Sequence, residues 1–85
     1  MVGIHWLGLI PPLNANLLIR IQNGTLEVER GTVRSHAREH LTQIVRDSGI
    51  QSGFIAEAGG RIKFSRNIPP SLHQRIRNVL LNQWA

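Results

Sequence analysis

The chain contains no cysteine. That removes disulfides, thiolate zinc sites, iron–sulfur ligation and thiol nucleophiles together, and it fits a reducing, cytoplasmic setting. Acidic residues are few, five against ten Lys and Arg, and no two carboxylates are spaced for acid–base work. No glycine-rich loop leads into a helix start where a phosphate would sit, since Gly59-Gly60 belongs to a hairpin. The apolar stretch VGIHWLGLI is nine residues long, against the ~20 needed to cross a bilayer. No basic region precedes it and no small-residue cleavage site follows, so a signal peptide is not expected. These absences predict a non-enzymatic chain with no cofactor, no metal and no small-molecule substrate.

What remains is a small, basic, globular chain. Eighty-five residues make one domain, of a size that buries roughly two-thirds of its unfolded surface. Hydrophobic residues make up 41% and charged residues 18%, which is a folding composition and not a disordered one. Net charge is +5, and nine of the ten basic side chains are arginine. Arginine forks match phosphates and carboxylates, so a polyanion partner and a merely solubilising charge are the two readings.

The first nineteen residues carry no charged side chain. Residues 1–16, with Trp6, read as an apolar arm lying on the domain's own core, on a partner or on a membrane interface. The domain proper runs over 17–85. LLIRIQ alternates Ile19 and Ile21 against Arg20 and Gln22. Asn23-Gly24 then offers the positive φ angles of a two-residue hairpin turn. That turn sets Ile21 opposite Leu26, Arg20 opposite Glu27 and Ile19 opposite Val28, so apolar meets apolar and plus meets minus.

Val33, Ala37, Leu41, Ile44 and Val45 form a helical stripe that Gly49 ends. A second hairpin surrounds Ala58-Gly59-Gly60. A three-residue loop there pairs Phe54 with Phe64 and Glu57 with Arg61, which is the favoured register; a tight Gly-Gly turn would face Ile55 inward instead. Pro69-Pro70 opens a second helix, with Leu72, Ile76, Val79 and Leu80 as its stripe.

The two halves share a pattern. A shift of 36 carries Asn23-Gly24, Leu26 and Val28 onto Gly59-Gly60, Ile62 and Phe64, and a shift of 35 carries the first helical stripe onto Ile68, Leu72, Ile76, Val79 and Leu80. This predicts an α+β fold: a two-layer ββαββα unit built from a tandem ββα repeat, with a four-stranded, mostly antiparallel sheet and both helices on one face. The expected core is Ile19, Ile21, Leu26, Val28, Val33, Ala37, Leu41, Ile44, Ile62, Phe64, Leu72, Ile76 and Val79.

Arg20-Ile21 with Gly24, the Pro69-Pro70 helix opening and the closing run Gln74-Arg75-Ile76-Arg77-Asn78-Val79 resemble a family of small bacterial proteins of unknown function. The likeness covers roughly residues 17–82. It implies no activity and no catalytic residues. It also implies a longer apolar leader that reads as a membrane anchor, from which this chain departs.

HAREH, residues 36–40, matches the H-x-x-E-H pattern of inverted zinc peptidases. On a helix, His40 sits beside the stripe, His36 lies further round the same flank, and Glu39 points more nearly outward. A catalytic zinc needs a third protein ligand and a water-holding cleft. Only Glu27, Glu29, Asp47 and Glu57 remain as carboxylates, so a polar helix flank is the better reading.

Two binding functions compete. A self-associating protein-interaction module would use the arm with Trp6, the open-face residue Leu18 (with Ile55 a further candidate there), and Leu81 and Trp84 off the second helix's stripe. A homodimer burying them is the expectation. A nucleic-acid or other polyanion binder would use Arg20, Arg61 and Lys63, which alternation places on the sheet face away from the helices. A membrane-surface role for the arm is the third reading.

Overall fold

The computed structural model describes residues 14–84. Trp6 and the arm as far as residue 13 lie outside the described residues. The elements are β1 (Leu17–Gln22), β2 (Thr25–Arg30), α1 (Ser35–Ser48), β3 (Ser52–Ala58), β4 (Arg61–Phe64) and α2 (Pro70–Trp84). The strands form one antiparallel sheet in the order β2-β1-β3-β4. Both helices pack on one face of it, which gives the two-layer α+β arrangement.

Local chemistry accounts for the boundaries. Asn23 and Gly24 both adopt positive φ, at 52° and 74°, and the hairpin they close pairs Ile21 with Leu26, Arg20 with Glu27 and Ile19 with Val28. Gly49 ends α1 in the left-handed conformation at φ 71°, an angle that costs glycine nothing sterically. Pro70 occupies the first position of α2, where its missing N–H is not needed. The amide of Arg34, just before α1, donates to the Gln83 Oε1 at 2.8 Å, so the end of α2 caps the start of α1.

The second hairpin takes the tight turn. Gly59 and Gly60 are its two loop residues, and Ile55 pairs with Phe64 while Glu57 pairs with Ile62. This corrects the favoured Phe54–Phe64 and Glu57–Arg61 register. The slip of one residue turns β3 over: Ile55 is fully buried beneath the helices, and Phe54 and Ala56 lie on the opposite face.

The core beneath the helices contains Ile19, Ile21, Leu26, Leu41, Ile44 and Ile76 as expected, and Ala37 is buried as well. Val28, Val33, Ile62, Phe64, Leu72 and Val79 stand at its margins, half-buried. Leu17, Val45, Ile50, Ile55, Ile68 and Leu80 are buried in it as well. Edge strands and helix flanks leave one side uncovered, so Val28 on β2 and Ile62 and Phe64 on β4 are only partly covered. Leu41 belongs to this cluster and is almost fully buried.

Candidate interaction surface

The sheet face away from the helices carries Leu18 and Arg20 from β1, Glu27 from β2, Phe54 and Ala56 from β3, and Arg61 and Lys63 from β4. The register sets Lys63 beside Ala56, Arg61 beside Ala58 and Arg20 beside Phe54. Arg20, Arg61 and Lys63 therefore share a face, as alternation requires. They do not form one cluster, because β3 with Phe54 and Ala56 separates Arg20 from the β4 pair.

Arg20 is already engaged. Its Nε donates to Glu29 Oε2 at 2.8 Å. Glu27 stands opposite Arg20 in the ladder, yet Glu29 makes the ion pair because β2 bulges there. Leu18 pairs with Arg30 and Ile19 with Val28, so Glu29 is the extra residue, and a bulge re-aims the side chain it carries. Arg61 and Lys63 are exposed and make no ion pair among the described residues.

Leu18 is not available as an interaction residue. It is 6% exposed and belongs to a second apolar cluster with Ala15, Phe54 and Ala56, the last fully buried. The overturned β3 register explains this correction: it brings Phe54 and Ala56 alongside Leu18, and it withdraws Ile55 from the open face into the main core. Arg30 Nη1 donates to the Ala15 carbonyl at 3.2 Å and closes the rim of this cluster.

Among the described residues, Leu81 and Trp84 are the large hydrophobic side chains left exposed, at 52% and 45%. They flank a groove of about 370 Å³ at the end of the sheet, with Leu17, Thr32, Glu57 and Gly60 on its other walls. Trp84 shares a flank of α2 with Arg77 and His73, about two and three turns away, and those two meet Phe64 of β4. His73 stacks on the Phe64 ring at 4.0 Å, and the Arg77 guanidinium lies 5.4 Å from its centroid.

His36 and His40 are neighbours, with ring centroids 4.9 Å apart, in a groove between the helices that Arg34, Val79, Asn82 and Gln83 complete. Among the described residues no three His, Asp or Glu side chains converge as a metal-binding group. A polar network missed in the sequence locks the β4–α2 turn. Ser65 Oγ accepts from the Phe54 amide at 3.0 Å and donates to Asn67 Oδ1 at 2.6 Å. Asn67 Nδ2 donates to the Ser52 carbonyl at 2.7 Å. Only the serine–asparagine spacing hinted at it, and such spacings are too common to be a signal.

A two-layer ββαββα domain with charged sheet edges and an exposed apolar groove is the class these observations define. The chain belongs to the family described as Protein of unknown function (DUF3634), whose model matches residues 8–83. No curated protein and no solved structure matches it. Among the described residues no helix is long and apolar enough to cross a membrane.

Proposed function

We propose that this domain is a non-enzymatic interaction module that associates with further copies of itself. The observation that carries this reading is the exposure of Leu81 and Trp84 side by side on a groove. An exposed tryptophan next to a leucine on a concave surface is the residue chemistry from which interface anchors are built. Light scattering over a concentration series tests it. Mass should rise above the 9.6 kDa of one chain, and the Leu81→Ser/Trp84→Ser double variant should shift that rise to higher concentration. A wild-type chain that stays monomeric throughout would end the reading.

Polyanion binding is the second reading, supported by Arg61 and Lys63 standing exposed without an acidic partner among the described residues. The Arg20–Glu29 pair weighs against it, because a neutralised arginine attracts no phosphate. A low-salt titration with random duplex DNA should give no binding tighter than about 10⁻⁴ M, the weak end of non-specific binding. Tighter binding that an Arg61→Ala/Lys63→Ala variant abolishes would put this reading first.

A further inference from the structure

The two edges of the sheet differ in charge: β4 carries two cations, and β2 carries two carboxylates ahead of its terminal Arg30. β2 presents Glu27 and Glu29, and β4 presents Arg61 and Lys63, all on the face away from the helices. From this we infer that copies of the chain join head to tail, β4 of one copy pairing with β2 of the next. The inference rests on the self-association reading above and adds a second contact to the one at the Leu81/Trp84 groove.

Backbone parity supports the pairing. Ser65 donates its amide to the Phe54 carbonyl at 3.0 Å, so Phe54 and Ser65 are a hydrogen-bonded pair. Such pairs alternate along an antiparallel ladder, which makes Ala56–Lys63 and Ala58–Arg61 the next two. Ile62 and Phe64 then turn their amides and carbonyls outward from β4. On the other edge the two-residue turn makes Gln22–Thr25 the closing bonded pair, followed by Arg20–Glu27. Leu26 and Val28 are the residues of β2 that point outward. Among the described residues none of these four forms a backbone bond to another element.

Direction and side chains agree with parity. In the order β2-β1-β3-β4, with every neighbour antiparallel, β4 and β2 run in opposite senses. A second copy placed alongside without turning over therefore continues the sheet as an antiparallel one. One register bonds the outward residues, Ile62 with Val28 and Phe64 with Leu26. It also sets Lys63 against Glu27 and Arg61 against Glu29 on the open face. Glu29 holds Arg20 through Oε2, and its second oxygen is left for Arg61. The two cations along β4 repel a second β4 edge, whereas the β4–β2 contact sets both of them against carboxylates. The same register runs Arg30 of the incoming strand beside Gly60, a wall of the Leu81/Trp84 groove.

The contact is heterologous, so it closes on itself only if the rotation between copies allows, and otherwise extends. The four residues of β4 make it short, and it belongs with weak, concentration-driven associations. Sedimentation velocity of the full chain over a concentration series provides the test. Wild-type mass should keep rising past two chains. Lys63→Glu and Glu27→Lys should each weaken association by roughly tenfold, as an attractive cross-strand pair becomes a repulsive one. The Glu27→Lys/Lys63→Glu double variant should associate as the wild type does. Within one chain those residues lie on opposite edges, three strand spacings or about 14 Å apart, so that restoration must come from a contact between chains. Circular dichroism melts should show all three variants folded. Single variants that associate like the wild type, or a double variant as weak as the singles, would overturn the edge pairing and leave self-association to the Leu81/Trp84 groove. A wild type monomeric at every concentration would overturn both.

Discussion

The two hairpins have the same turn length and differ in what their strands face. In β1–β2 the helix side is apolar, with Ile19, Ile21, Leu26 and Val28, and the other side carries Arg20, Glu27 and Glu29. A slip of one residue would bury charge and expose the core, so one register wins by a wide margin. In β3, the central strand of the second hairpin, Phe54, Ile55 and Ala56 are all buried, on alternating faces. Alternation there carries no sign of which face is inner, and the turn geometry decides the register alone. The turns into the helices differ as well. After β2 the chain passes Gly31, where an added Cβ would come within 2.6 Å of the Asn16 carbonyl; after β4 it is held by the Ser65–Asn67–Ser52 network.

Several substitutions would break or sharpen this contrast. Leu41→Ala and Ile55→Ala should be the most damaging, each costing about 2–5 kcal/mol in a denaturant melt. A cost for Ile55→Ala below 1 kcal/mol, the range of exposed positions, would restore the three-residue loop. Asn67→Ala leaves Ser65 and the Ser52 carbonyl short of partners, and should cost about 1–3 kcal/mol. Gln83→Ala frees the Arg34 amide and should cost about 0.5–1.5 kcal/mol, with faster amide exchange at the start of α1. Smallest is Glu29→Gln. An exposed pair such as Arg20–Glu29 contributes about 0.2–1 kcal/mol, and the loss should fade as salt is added.

Most of the fold was legible. The first hairpin could be read to the residue because its two faces differ in polarity and Asn23-Gly24 permits one turn. Both helices were legible from stripes bounded by Gly49 and by Pro69-Pro70. The second register was hidden because β3 is buried on both sides, and that one error misplaced Leu18 as an exposed residue. Of the candidate surface, Leu81 and Trp84 could be found because they fall off the α2 stripe, and Arg61 and Lys63 because strands alternate. The partner of Arg20 could not be read, since a bulge adds a residue that period-two counting does not anticipate. The edge pairing was out of reach for a similar reason: it needs the strand order and the second register together.

Amide hydrogen exchange of the full chain, followed residue by residue as concentration rises, tests the edge pairing most directly. Leu26, Val28, Ile62 and Phe64 direct their amides outward and should exchange freely in dilute solution. Their protection should grow as the chains associate, while the inward amides of Glu27 and Lys63 keep theirs unchanged. Association with no new protection at those four amides would contradict the account.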